Sequence, residues 1–569
     1  MYNLFVTLVS AAVFTSVAVA LPAPTQTQQK RADTASVVLP QGTIVGSVSN
    51  GVENYGGIPF AQAPVGSLRL KPPQKLNTSL STFDATGLGP SCPQMFFSTD
   101  GDLLTSVLGD LIDLPLFQVA TGQTEDCLTM RVQRPAGTAA DAKLPVLFWI
   151  FGGGFELGSP SMYDASSLVS NGVDQDKPFV FVSVNYRVAG FGFLGGKEIL
   201  ADGAANLGLL DQRMGLEWVQ DNIEAFGGDP EKVTIWGESA GAISVFDQMA
   251  LYDGDNSYNG KKLFRAAIMN SGSVVPADPV DSARPQGIYD AVVKEAGCDG
   301  DSDTLACLRN ADYDTFLNAV NSVPGLLSYT SVSLSYLPRP DGKVLTDSPD
   351  VLALNGRYAA VPMIIGDQED EGTLFSLFQS NITNTDELVN YIWKIFFPAI
   401  DRQYVEGLVD TYDPSVEAGS PFNTGALNNP YPEFKRLAAI LGDMVFTLTR
   451  RVFLDSASSV NPDVPSWSYL ASYDRGTPIL GTFHGSDLLQ VFYGILPNYA
   501  SNAIQSYYIS FLYTTDPNDG TSSNYPQWPQ WKENNELMQF WSDKSNLLAD
   551  DFRNTSQAYI ADNAAIFLI

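Results

Sequence analysis

A chain of 569 residues that is 44% apolar, 11% aromatic and only 17% charged can fill a large core, which excludes a natively disordered protein. Its 63 acidic against 32 basic residues give a formal charge of −31, which excludes nucleic acid as a partner and favours neutral ligands. A single histidine excludes a histidine-rich metal site, so no metal and no cofactor are expected.

Residues 1–20, MYNLFVTLVSAAVFTSVAVA, form an apolar run ending in Ala18-Val19-Ala20, the pattern of a signal peptide with a small-residue cleavage site. Residues 21–31 are polar and end in the dibasic pair Lys30-Arg31, which reads as a propeptide. With no later composition shift, residues 32–569 are expected to form one catalytic domain. No second apolar span or lipid-anchor tail follows, so the expectation is a secreted, extracellular protein with no transmembrane anchor. Four cysteines in that setting suggest two disulfides. We favour Cys92 with Cys127, closing the base of an apolar excursion, and Cys298 with Cys307, closing a short local loop. Asn77, Asn381 and Asn554 head sequons for N-glycosylation.

Between the first two cysteines, Leu103, Val107, Leu111 and Leu114 recur at helical spacing while Ser106, Asp110 and Asp113 favour another face, and Pro115 interrupts the run. A disulfide-tethered apolar flap within 92–127 suits a lid that covers a site in water; an ordinary buried helix is the alternative. Segments LPVLFWIF (144–151), FVFVSVNYR (179–187) and KVTIW (232–236) are β-branched and aromatic runs, as in strands covered on both faces. Between the last two, Leu210, Met214, Trp218 and Ile223 predict a helix stopped by Gly227-Gly228. Strand, helix, strand alternation predicts an α/β fold with a mostly parallel sheet.

Gly237-Glu238-Ser239-Ala240-Gly241 follows strand KVTIW and precedes the helix-like AISVFDQMAL, the context in which G-x-S-x-G forms a tight turn that lifts a serine hydroxyl clear of the sheet. Serine needs a base at neutral pH, and His484, in Gly481-Thr-Phe-His-Gly485, is the one histidine available. A carboxylate must then fix the imidazole tautomer. Strand VPMII delivers Glu369, Asp370 and Glu371, and spacing does not choose among them. Phe151-Gly152-Gly153-Gly154-Phe155, after its strand, offers backbone N–H groups for an oxyanion, and the Ala240 amide is a further donor. A phosphate-binding P-loop is the rival for this glycine run, but no Lys-Ser/Thr follows. Phe375, Leu377 and Phe378 line an acyl pocket or pack in the core.

Taken together, GGIPFAQAPVGSLRLKPP, EDCL, WIFGGGFELG, VNYRVAGFGFLG, FGGDPEKVTIWGESAG, GDQEDEGT and GTFHGSD resemble the type-B carboxylesterase and lipase family, across nearly all of the chain. SCPQMF, PLFQVATGQTEDCL and NSVPGLLSYTS are similar to its fungal sterol esterases and lipases. The resemblance implies the α/β-hydrolase fold, with a large mixed, mostly parallel central sheet flanked by helices and a tethered lid. It assigns the acid to Glu371, before Gly-Thr, and the oxyanion donors to Gly153, Gly154 and Ala240. It also implies the same two disulfides and a structural ion pair of Arg69 with Glu125. Ala242 stands where many relatives carry serine. The expected activity is hydrolysis of long-chain hydrophobic esters, such as sterol esters and triacylglycerols, at lipid interfaces or micelles, through an acyl-Ser239 intermediate, with a homodimer through open lids as a possible assembly. A carboxylesterase of short or aromatic soluble esters and a non-catalytic adhesion module are the alternatives.

Overall fold

The computed structural model describes residues 33–96, 122–494 and 497–569. The segments read as signal peptide and propeptide, and the lid positions Leu103 to Pro115, lie outside the described residues.

The β-branched and aromatic runs form strands, and these build one thirteen-stranded sheet. Across it lie Thr34–Leu39, Gly42–Ser49, Val52–Pro59, Thr129–Pro135, Val180–Val184, Leu144–Ile150, Gly228–Glu238, Ala266–Asn270, Met363–Gln368, Ser466–Ala471, Glu536–Phe540 and Ser545–Ala549, with Ser81–Asp84 paired to Gly42–Ser49. From Val180–Val184 through Glu536–Phe540 every neighbouring pair is parallel. The pairs in the path outside this block are antiparallel. This is the mixed, mostly parallel sheet expected.

The parallel strands are buried on both faces: Val180–Val184, Ala266–Asn270, Met363–Gln368 and Ser466–Ala471 are buried at every position. That is why they read as continuous apolar runs rather than alternating ones. The hydrophobic core is one continuous cluster, with Trp149 and Trp236 in edge contact at its centre, their ring centroids 4.4 Å apart. Register aligns the strand ends. Ile150 lies opposite Gly237, Glu238 opposite Asn270, and Asn270 opposite Gly366. Whatever follows these strands therefore converges on one edge, where ligands bind in open parallel sheets.

The helix expected after Asn206 runs Leu207–Asn222; of the predicted stripe, Trp218 and Ile223 are buried as expected, but its first half is not. Leu210 and Met214 are half-buried, whereas Leu207, Leu209, Leu216 and Val219 are buried along with Asp211, Gln212 and Arg213. Packing on several sides removes the amphipathic signal: Asp211 is tied to Arg187 by a bidentate pair, with Nε to Oδ2 at 2.8 Å and Nη2 to Oδ1 at 2.7 Å.

Both disulfides join as favoured, Cys92 to Cys127 and Cys298 to Cys307. Arg69 holds Glu125 through two hydrogen bonds of 2.6 and 2.7 Å and donates to the carbonyl of Ala311, so one guanidinium links the bases of the two bridged segments. Asn77, Asn381 and Asn554 are all exposed.

Candidate active site

Ser239 sits between strand Gly228–Glu238 and helix Ala240–Gly254 with φ 57° and ψ −127°, a left-handed conformation costly for a residue with a Cβ, on the order of 1–3 kcal/mol. The glycines two positions either side make it attainable. A Cβ on Gly241 would lie 2.1 Å from the Ile150 carbonyl oxygen, and one on Gly237 would lie 2.3 Å from the Gly241 carbonyl. The turn therefore closes against the neighbouring strand with backbone in contact with backbone.

Ser239 Oγ lies 2.8 Å from His484 Nε2, and His484 Nδ1 lies 2.5 Å from Glu371 Oε2. Glu371 Oε1 in turn accepts the Gln368 N–H at 2.7 Å, which fixes the carboxylate plane. His484 is 6% exposed and Glu371 1%. Phe375 and Phe446 pack on the imidazole with centroids 5.0 and 4.6 Å away.

The acids beside Glu371 are used elsewhere. Glu369 pairs with Arg475 Nε at 2.6 Å. Asp370 accepts from Ser420 Oγ at 2.9 Å and from the N–H groups of Phe422 and Thr482 at 2.8 and 3.0 Å. Three consecutive carboxylates leave the strand in three directions, and one reaches the histidine.

The electrostatics are those of a single cation among several acids. Burial disfavours the charged imidazole, but the charge and hydrogen bond of Glu371, with Glu238 and Asp487 beyond it, outweigh burial and push His484 up to about 9. Burial, with Asp487 and Glu371 adding to it against the pull of His484, pushes Glu238 up to about 8. Burial pushes Asp487 up to about 6, although Asn270 Nδ2 donates to its Oδ2 at 2.7 Å. Glu238 Oε1 stands 3.5 Å from His484 Nε2 with no hydrogen-bond partner among the described residues. Glu238 and Asp487 were not singled out from the sequence. Their signal was present, one inside the Ser239 motif and one three residues after His484, but only the packing shows that both are buried against the imidazole.

Gly154 and Ala240 line the same cavity as Ser239; Gly153 is not in its lining. The backbone N–H groups of Gly153, Gly154 and Ala240 donate to no group among the described residues, and the loop is pinned by the Glu156 and Leu157 N–H groups bonding back to the Gly153 carbonyl at 3.1 and 3.0 Å. The cavity is walled by Phe155, Ile243, Leu326, Leu337, Phe375 and Phe446 among others. Phe375 thus reaches the cavity, whereas Leu377 belongs to the core and Phe378 packs half-buried against it. A hydroxyl, a base, an orienting acid and free N–H donors around an apolar cavity are the parts that acyl transfer to serine requires.

A model of the carboxylesterase family matches residues 33–559. The chain is similar to a secreted triacylglycerol lipase, LIP1, of Gibberella zeae, at 62% identity over 95% of this chain and 92% of that protein. It is similar to lipase 2 of Diutina rugosa at 45% identity over 91% and 94% of the two chains. Among solved structures, Aspergillus niger EstA superposes with a TM-score of 0.79 at 25% identity, covering 94% of this chain and 99% of that one. A carboxylesterase-like protein of Byssochlamys spectabilis that is named inactive matches at 29% identity over 79% of this chain and 76% of that protein, so the site geometry matters beside the likeness. With both in hand, the chain belongs to the carboxylesterase family and is a carboxylic ester hydrolase.

Proposed function

We propose that this protein is a secreted serine hydrolase of long-chain hydrophobic esters, triacylglycerols and sterol esters among them, working through an acyl-Ser239 intermediate. His484 Nε2 takes the hydroxyl proton as Ser239 attacks the ester carbonyl, then returns it to the departing alcohol. Glu371 orients the imidazole and stabilises its charged form. The N–H groups of Gly153, Gly154 and Ala240 receive the oxyanion. Water then attacks the acyl-enzyme by the same route, and the acid is released. Residues 1–20 and 21–31 are removed on export, 32–569 act as one catalytic unit, Asn77, Asn381 and Asn554 accept glycans, and the segment within 92–127 covers the site and docks on lipid or on a second open copy.

The carrying observation is the hydrogen-bonded series Ser239–His484–Glu371 opening on a cavity walled almost entirely by apolar side chains. Similarity to proteins named as lipases, one of them a secreted triacylglycerol lipase, supports the substrate class and the destination. No helix among the described residues is long and apolar enough to cross a membrane. The test is the hydrolysis of cholesteryl oleate, triolein and a short soluble ester, each below and above the concentration at which the lipid forms an interface. Turnover of both long-chain esters that rises at the interface is expected. Activity confined to the soluble ester would remove the lipid role and leave the triad. Ser239→Ala should lower kcat on the order of 10⁶-fold.

A further inference from the structure

The helix that begins at the candidate nucleophile presents Ala240, Ile243 and Asp247 to the cavity, at positions i, i+3 and i+7, one face of a helix. The first two suit an apolar tunnel. Asp247 does not. It is fully buried, and neither of its carboxyl oxygens has a hydrogen-bond partner among the described residues. Asp350 shows the contrast, since the Ser348 hydroxyl donates to it. Burial alone pushes the Asp247 carboxyl well above the usual carboxylate range, with no cation acting on it. In its uncharged form, the one that burial favours, the carboxyl has one O–H to donate and a carbonyl oxygen to accept, at the wall of an otherwise apolar cavity.

Eight residues of helix at 1.5 Å rise separate Asp247 from Ser239 by about 12 Å. That distance reaches the middle of a long acyl chain whose carbonyl sits at Ser239. The acyl part is the one that stays on Ser239 after the alcohol has left, and the cavity beside Ser239 offers it an apolar wall. We propose that Asp247 is the polar anchor of an acyl subsite that takes fatty acyl chains bearing a mid-chain hydroxyl, the hydroxyl donating to the carboxyl carbonyl and accepting from its O–H. This rests on the acyl-Ser239 reading above and adds to it the class of acyl chain.

The test compares esters of ricinoleic and oleic acid, which share chain length and double bond and differ by one mid-chain hydroxyl. The wild type should favour the ricinoleoyl ester by about tenfold in kcat/KM, the worth of one well-made buried hydrogen bond. In Asp247→Leu that ratio should fall to one or below. Because it is a ratio within one preparation, the fraction folded cancels. Asp247→Asn, which keeps a donor and an acceptor, should retain part of the preference. Equal handling of the two esters by the wild type, or a ratio unchanged in Asp247→Leu, overturns the anchor. Binding of the two free acids to Ser239→Ala separates this from the reading beneath it. Tighter binding of ricinoleic acid that vanishes in Ser239→Ala/Asp247→Leu supports the anchor even if the wild type hydrolyses neither ester, a result that would overturn the acyl-Ser239 reading alone. Equal binding overturns the anchor even if both esters are cleaved.

Discussion

Asp367 and Glu371 leave the same strand end four residues apart, and each enters a buried charged cluster. Asp367 meets Arg450 Nε at 2.8 Å, and Arg450 and Arg451 together grip Asp550 at 2.7 and 2.9 Å, with the Trp531 indole N–H donating to the same carboxylate. Two cations face two anions. Burial opposes the ionisation of Asp550, yet the two guanidinium groups hold it down at about 2. Glu371 instead meets a single titratable cation, His484, which Glu238 and Asp487 also surround. The first cluster is closed in charge, two against two, although burial, with Glu371 adding to it against the pull of Arg450, pushes Asp367 up to about 7. The second is left with more acid than base, and its protons are free to move within the working range of pH.

The largest test of that division exchanges the two acids' fates. Glu371→Gln should lower kcat on the order of 10⁴-fold, because the amide no longer stabilises the imidazolium, with a small change in Tm. Arg450→Met should do the opposite. Removing one partner of a buried pair leaves uncompensated charge, costing about 3–5 kcal/mol of stability, while kcat per folded molecule stays close to wild type. Thermal unfolding and active-site titration measure both. A catalytic collapse in Arg450→Met without unfolding would show that the clusters act as one.

The division was partly legible in the sequence. The parallel strands announced themselves because burial on both faces leaves no polar positions, and the tight turn at Ser239 because only glycine fits where Gly237 and Gly241 meet backbone. His484 followed by being the one histidine. The carboxylate that meets it did not: Glu369, Asp370 and Glu371 are equivalent in spacing, and what separates them is contact with Arg475, Ser420 and His484, from distant parts of the chain. Asp247 was hidden in a different way. A lone acid in the apolar run AISVFDQMAL carried a signal, but whether it faces solvent, a cation or a cavity depends on a tertiary environment that periodicity does not encode.

A smaller effect sharpens the account of the open cluster. Glu238 is one of the acids that raise His484, so Glu238→Gln should lower the imidazolium pKa and move the ascending limb of kcat/KM to lower pH. Arg450→Met should leave that limb in place. An unmoved limb in Glu238→Gln would remove Glu238 from the electrostatics of the base.

The smallest expected effect is the slope of stability against pH, and its sign follows from the two clusters. His484 is raised from 6.5 to about 9, so its contribution is fully present below pH 6.5 and is lost as pH rises through about 9. Glu238 is raised from 4.5 to about 8, so the folded state holds a proton that the unfolded chain releases from pH 4.5 upward, and stability falls across that window also. Asp550 is lowered from 3.8 to about 2, so its contribution is present above pH 3.8 and is lost only as pH falls through about 2. Between pH 5 and 9 Asp550 is silent, while Asp367, raised to about 7, adds to the decline up to that pH and the acids and imidazole around His484 carry it on to pH 9. Denaturant midpoints should therefore decline from pH 5 to 9 in the wild type and decline less in Glu238→Gln, with the difference concentrated below pH 8. A decline of equal steepness in the two proteins would mean that the excess acid around His484 is stabilised by something other than its own proton, and the contrast between the clusters would lose its physical basis.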